Sequence, residues 1–403
     1  MVRRALVLII AFLASSFPVL GQGLEYVKAN YTKYEYRIPM RDGVPLFTTV
    51  YVPKDTSRSY PIWLLRTPYS VGPYGVDQYK TDLGPSPLFG KEGYIFAYQD
   101  VRGRWMSEGD FVNMRPHNPN KGPKEIDEST DTYDTIDWLL KNVSGHNGRV
   151  GQSGISYPGF YTAAGMIDAH PALKASSPQA PVTDWFIGDD WHHNGAVILP
   201  HLFSFMSKFG HARPEPTKKL DHTFDFGTPD GYEFFLNLGP LANANTKYFQ
   251  DKIGFWNDVM QHGTYDEFWQ SRDIRRHLKG IRPAVLTVGG WFDAENLFGA
   301  LETYQRIEST SPGVARLLNR NFISIKIDRE ERPDLDQIYQ TAHQMLTGRA
   351  GGWPLTMFLN PADHMPFFGG TYFPKTPRHG LPAFPEVCRG VARLYQQRSA
   401  DIA

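Results

Sequence analysis

The chain has 403 residues, 41% of them hydrophobic and 14% aromatic, enough for two or three domains with a sizeable core and far from a disordered composition. Its 42 basic and 42 acidic residues cancel, so no field steers nucleic acid or an anionic membrane, and a neutral or small zwitterionic substrate suits it better. The single cysteine, Cys388, excludes an intrachain disulfide framework and a paired-cysteine metal site.

Arg3-Arg4 followed by the apolar run from Ala5, with small residues at Val19-Leu20-Gly21, reads as a secretory signal over residues 1–21. The run is shorter than the ~20 residues a membrane span needs, which predicts a periplasmic or secreted protein with no membrane attachment after cleavage. From Tyr34 to Pro53 the alternation predicts a hairpin around Arg41-Asp42-Gly43. Pro61–Arg66 and Tyr94–Gln99 are short apolar runs of the kind that form buried central strands. Asp127 to Asn142 predicts a helix, after which Gly148-Arg149-Val150 would end another short strand. Strands alternating with helices predict an α/β sheet.

Gly151-Gln-Ser-Gly-Ile-Ser-Tyr-Pro-Gly159 then reads as a nucleophile elbow, a serine on a sharp strand-to-helix turn. Glycines at 154 and 159 remove side chains that would block the bend. Ser156 is the expected nucleophile and Ser153 its rival, since Gly159 stands three residues after Ser156 rather than two. From about residue 170 to 282 the alternation stops and aromatic-rich sequence predicts an inserted cap. Pro283–Gly290 predicts a buried strand ending near Asp293, where open α/β sheets place functional carboxylates. Beyond Gly313, Phe322–Ile327 predicts a strand, Asp334–Leu346 a helix and Trp353–Leu359 a second strand. The charged run from Asp328 interleaves arginines and reads as a solvated face, so neither a metal nor a cofactor is expected.

Met40-Arg-Asp-Gly, Arg66-Thr-Pro-Tyr, Gln99-Asp-Val-Arg-Gly-Arg, Ser107-Glu-Gly, Gly154-Ile-Ser-Tyr-Pro-Gly, Gly188-Asp-Asp-Trp-His-His-Asn-Gly and Gly290-Trp-Phe-Asp-Ala-Glu occur in one order. With them, residues 25 to about 312 closely resemble the α-amino-acid ester hydrolases, within the group of cocaine esterase and X-prolyl dipeptidyl peptidases. The resemblance implies an α/β-hydrolase core with a helical cap. It implies that Ser156 attacks an acyl carbonyl, that Asp293 orients a histidine base, and that the Tyr69 hydroxyl and Tyr157 N–H form an oxyanion hole. It further implies a small-molecule acyl substrate whose α-ammonium is received by Asp190, Glu295 and Asn296, with Asp189 as rival to Asp190. At Asn296 the family's third carboxylate is an amide. A homo-oligomer is compatible with the sequence.

The family places its histidine a few tens of residues after the acid, yet none lies between His277 and His343. His343, His364 and His379 remain as replacements, all in a stretch that resembles another family. That stretch, residues 314 to about 400, resembles the thioredoxin-like domain of spermatogenesis-associated-type proteins. The resemblance is carried by Val314-Ala-Arg-Leu-Leu-Asn, Lys326–Asp336, Gly351-Gly-Trp-Pro-Leu-Thr and Phe367-Phe-Gly-Gly-Thr-Tyr-Phe-Pro. Its Cys-x-x-Cys is absent here, and a lone thiol performs no dithiol exchange. The sequence thus divides into a signal (1–21), a hydrolase region (22–312) that ends before the expected histidine, and a thioredoxin-like fragment (314–403).

Overall fold

A computed structural model describes residues 22–310 except 221, and 332–398 except 353, 375 and 379. The signal, the Phe322–Ile327 strand, the charged run at Asp328 and His379 lie outside the described residues. Among the described residues no helix is long and apolar enough to cross a membrane.

Seven strands form the main sheet: β1 (Tyr31–Pro39), β2 (Pro45–Pro53), β3 (Tyr60–Thr67), β4 (Ile95–Asp100), β5 (His146–Ile155), β6 (Leu173–Gln179) and β9 (Ala284–Val285), with a two-strand cap hairpin, β7 (His192–His193) and β8 (Ala196–Val197), between the last two. Their order is β1-β2-β4-β3-β5-β6-β9. β1 and β2 pair antiparallel, as does β2 with β4, and the rest run parallel. A parallel sheet has both faces covered, and that is why β4 is buried at every residue. One face packs Ile62, Leu64, Ile95 and Ala97 against Ile136 and Leu139 of the helix Glu128–Asn142. The other packs Phe47, Trp63 and Phe96 against Val27 of the short helix Leu24–Asn30. Asp127 caps Glu128–Asn142 by accepting from the Thr130 N–H while the Thr130 hydroxyl accepts from the Asp127 N–H, so the helix starts one residue later than the sequence suggests.

Other expectations are corrected. The strand expected to end at Val150 runs on to Ile155 and delivers Ser156 directly. Its Gly-rich second half lacks the apolar alternation that marks a strand but is held by β3 and β6 on either side. The range 170–282 contains β6, a polar segment, Leu-Lys-Ala-Ser-Ser-Pro-Gln, that hydropathy hides; the cap follows it. The expected Pro283–Gly290 strand is reduced to Ala284–Val285 and a bridge at Val288, with Leu286 exposed. Its outer edge has no partner strand among the described residues, so it is an edge rather than a buried centre.

The cap builds its own aromatic core and shares it with the helix after Ser156. Tyr157, Phe160 and Tyr161 pack with Trp185, Trp191, Leu202, Phe203 and Trp256. Its helices include Leu199–Phe209, Gly231–Leu238 and Gly254–Gln261. The C-terminal region has helices Pro333–Thr347 and Phe384–Arg398 and an antiparallel pair, β10 (Thr356–Leu359) and β11 (Pro366–Gly370). β10 starts three residues after Trp353, later than expected. Phe358, Val387, Cys388 and Val391 form its small core.

Cys388 is completely buried there, and burial pushes its thiol up from the ordinary range. The native protein is therefore expected to react with a disulfide reagent such as DTNB at least ~10-fold more slowly than the unfolded chain, and not to reduce insulin. Fast native labelling or insulin reduction would contradict this placement.

Candidate active site

Ser156 sits between β5 and the helix Tyr157–Ala164 with φ 63° and ψ −124°. A non-glycine residue pays on the order of 1–3 kcal/mol for such a conformation, so the surroundings must enforce it. They do so by close approach. A Cβ on Gly154 would collide with the Pro158 carbonyl, and one on Gly159 would lie 2.7 Å from Gln179 O and 2.9 Å from Pro181 Cα. The Ser156 N–H donates to Gln179 O at 3.0 Å, tying the turn to the end of β6. Tyr157 is the first helical residue, so its N–H has no acceptor one turn back. Ser153 is buried and its Oγ accepts from Trp63 Nε1 at 3.1 Å, which removes it as a rival nucleophile.

Tyr69 is presented over this turn by a buried polar network made from the sequence motifs. Arg66 bonds Gln99 and ion-pairs with Glu128, while Arg102 pairs with both Asp131 and Asp42. The Asp100 carboxylate accepts from the Val71 N–H, the Tyr74 hydroxyl and the Met106 N–H, pinning the loop that carries Tyr69; burial pushes Asp100 up to about 7. The Tyr69 ring meets Tyr157 edge-on at 6.3 Å and Phe209 at 5.6 Å. It is 44% exposed, and among the described residues its hydroxyl has no hydrogen-bond partner. Burial of the phenol, with Asp190 and Glu295 nearby, raises its pKa.

Asp190, Glu295 and Asn296 come together as the resemblance implies. The Asp190 N–H donates to Glu295 O at 2.9 Å, and Asp190 Oδ2 accepts from Asn296 Nδ2 at 3.0 Å and Trp185 Nε1 at 2.7 Å. Asp189 is instead a structural node. It accepts from the Thr183 N–H and hydroxyl, the Asp184 N–H and the Gly299 N–H, fixing the start of the helix Leu297–Thr310. His201, on the cap helix Leu199–Phe209, places Nδ1 3.2 Å from Glu295 Oε1. Atoms of Asp190, His201 and Glu295 fall within 4.8 Å of one another, a spacing suited to one cationic centre, an ammonium group or a metal ion. His201 lies outside every quoted motif, and only its place in the folded cap reveals it.

Asp293 and Ser156 both leave the carboxyl edge of the sheet, from the loop after β9 and the end of β5, with β6 between them. Asp293 Oδ1 accepts from the Glu295 and Asn296 N–H groups at 2.9 and 3.0 Å, so it closes its own loop. Among the described residues no histidine bonds to Asp293 or to Ser156. His343 is buried on its helix beside Thr347, and His364 stands in the turn between β10 and β11. An open cleft of about 750 Å³ borders the site, lined by Pro68, Tyr69, Arg104, Trp105, His201 and Phe209 among others.

A strained serine at an elbow, on the carboxyl edge of a sheet of this strand order, defines an α/β-hydrolase-type serine hydrolase. Residues 42–321 match the family model described as X-Pro dipeptidyl-peptidase (S15 family), and the chain belongs to that family. Residues 304–403 match a second model, described as a protein of unknown function, DUF255. An α-amino acid ester hydrolase structure is 32% identical with a TM-score of 0.63, over 73% of this chain and 47% of that one. An aminopeptidase from the marine sediment archaeon Thaumarchaeota archaeon is 34% identical with a TM-score of 0.62, over 69% and 46%. Cocaine esterase of Rhodococcus sp. (strain MB1 Bresler) is 28% identical over 267 residues, 64% of this chain and 43% of the relative. Human spermatogenesis-associated protein 20 is 52% identical over 68 residues, 17% of this chain and 8% of that protein. The chain thus spans less than half the length of each of these four relatives.

Burial, followed by the neighbouring charges of Glu295 and Asp293, drives Asp190 up to about 7, against the hydrogen bonds from Asn296 and Trp185. The folded carboxyl titrates above the unfolded one, so its ionisation penalises folding: the penalty is absent below the unfolded pKa of 3.8 and complete above about 7. Asp190→Asn, whose Oδ1 can accept both existing bonds, is expected to melt higher than the parent at pH 8, with the gain shrinking towards pH 4. A gain independent of pH in differential scanning calorimetry would contradict the assignment.

Proposed function

We propose that the chain is an exported Ser156-dependent hydrolase of esters or amides of α-amino acids with a free amino group, including X-prolyl acyl groups. The observation that carries this is the convergence of Asp190, Glu295 and Asn296 in one hydrogen-bonded cluster, together with the strained Ser156 and the Tyr69 ring packed against Tyr157. The relatives named as an ester hydrolase, an aminopeptidase and a dipeptidyl-peptidase family support the same substrate class. In this reading Ser156 Oγ attacks the acyl carbonyl. The Tyr69 hydroxyl and Tyr157 N–H receive the developing oxyanion, each such donor lowering the barrier by ~3 kcal/mol. The substrate ammonium is drawn to Asp190 and Glu295, and the amide at Asn296 spends its donor on Asp190, so the field is weaker than three carboxylates would give. Asp293 is the acid that would orient the base.

A second reading, a catalytically impaired chain joining two incomplete domains, is favoured by one observation: Ser156 has no histidine partner among the described residues. A serine without a base is a weak nucleophile, and loss of a triad member leaves only about 10³–10⁴-fold catalysis over water. Hydrolysis of an alanine p-nitrophenyl ester by the parent and by Ser156→Ala tests the proposal, and added imidazole separates the two readings. We expect slow turnover that falls at least ~10-fold in Ser156→Ala and that imidazole raises in the parent alone after the solution rate is subtracted. Equal rates for the two proteins would overturn catalysis by Ser156. Fast turnover indifferent to imidazole would show that the chain carries its own base and overturn the impaired reading.

A further inference from the structure

Arg104 is the buried charge that the proposed chemistry leaves unused. It is 5% exposed and borders the cleft, and it forms no ion pair among the described residues. Its guanidinium stacks on Phe209 at 4.0 Å and Phe111 at 5.1 Å and donates one hydrogen bond, Nη1 to Phe209 O at 3.2 Å; Nε is buried with no partner. Arg213 beside it donates to Gly103 O and Trp105 O and also forms no ion pair among the described residues. By contrast Arg66, Arg102 and Arg275 each face one or more acids. Arg272 is unpaired too, but it stacks inside the cap on Phe255 and Phe268, away from the residues that line the cleft.

A guanidinium stays protonated, and a buried one without a counter-charge costs several kcal/mol. Such a group bordering a cleft is balanced when an anion arrives, and its planar fork suits a carboxylate. Tyr69, Arg104 and His201 line one cleft, and His201 pairs with Glu295 at 3.2 Å, so the candidate oxyanion donor shares that cleft with an acidic cluster and with an unpaired cation. We infer that Arg104 anchors a carboxylate on the leaving-group side of the scissile bond, so that the cleft prefers zwitterionic substrates, short peptides with both ends free, to acyl donors with uncharged leaving groups. This rests on the proposed ammonium site for its orientation, and its test keeps the two apart.

Isothermal titration of the full chain carrying Ser156→Ala, which consumes no ligand, uses three probes: Phe-Gly, its C-terminal amide, and N-acetyl-Phe-Gly. The expected result is that amidation weakens binding ~10-fold, about 1.4 kcal/mol. That ratio falls below about twofold when Arg104→Gln is added and is partly kept by Arg104→Lys, which preserves the charge but not the fork. Equal affinity for acid and amide, or a ratio that survives Arg104→Gln, overturns the inference. Should Arg104→Gln fail to fold, the acid-to-amide ratio in the Arg104 protein and its decrease in Arg104→Lys still decide. The N-acetyl probe reports separately on Asp190 and Glu295: unchanged affinity on acetylation overturns the ammonium site alone, and no binding of any probe at millimolar concentration overturns both.

Discussion

Everything at this site depends on one backbone constraint, the positive φ of Ser156. The conformation is unfavourable on its own and is held because three pieces of chain approach more closely than any side chain would allow: Gly154 against Pro158, Gly159 against Gln179 and Pro181, and the Ser156 N–H against Gln179 O. The same turn ends β5, starts the following helix and leaves the Tyr157 N–H without an acceptor among the described residues, so the proposed nucleophile and one proposed oxyanion donor are fixed together. The cap then packs its aromatic core against that helix, which makes the strained turn part of the cap's foundation.

The electrostatics follow a second constraint. The chain is neutral overall, and most of its deeply buried charges are paired, as at Arg66 and Arg102. Among the described residues the buried charges without an ion pair include Asp100 and Asp189, held by hydrogen bonds, and two near the cleft: Asp190, raised to about 7 by burial, and Arg104, lowered by burial. Unbalanced buried charges reduce stability and are relieved by a ligand of opposite charge. In the proposed reading a cleft with both signs selects by complementarity at two points rather than by a net field, which the balanced composition does not supply.

Much of the hydrolase fold was legible because hydropathy marks it. The hairpin, the two apolar central strands and the Asp-capped helix are set by local pattern, and the elbow by glycines whose absence of side chains has a steric reason. β6 was missed because its Lys, Ser, Pro and Gln residues are made strand-like by β5 beside it, not by their own propensity. The β9 segment was overread because an apolar run looks the same at a covered centre and at an edge. At the site, the candidates Ser156, Tyr69 and Asp190 come from motifs. The rejection of Ser153 and Asp189 required their hydrogen bonds, and His201 required the tertiary placement of the cap helix. Arg104 stood in a quoted motif, yet nothing in sequence tells a paired arginine from an unpaired one.

The most direct test of the account is intact-protein mass spectrometry after brief exposure to an alanine p-nitrophenyl ester, followed by peptide mapping. In the proposed reading, with no histidine bonded to Ser156 among the described residues, acylation and deacylation are both slow, so an acyl-enzyme intermediate is expected to persist long enough to be weighed. One added alanyl group is expected, mapped to Ser156, absent in Ser156→Ala and much reduced when the ester's amino group is acetylated. An adduct on another residue, or acylation equally efficient with the acetylated ester, would contradict it.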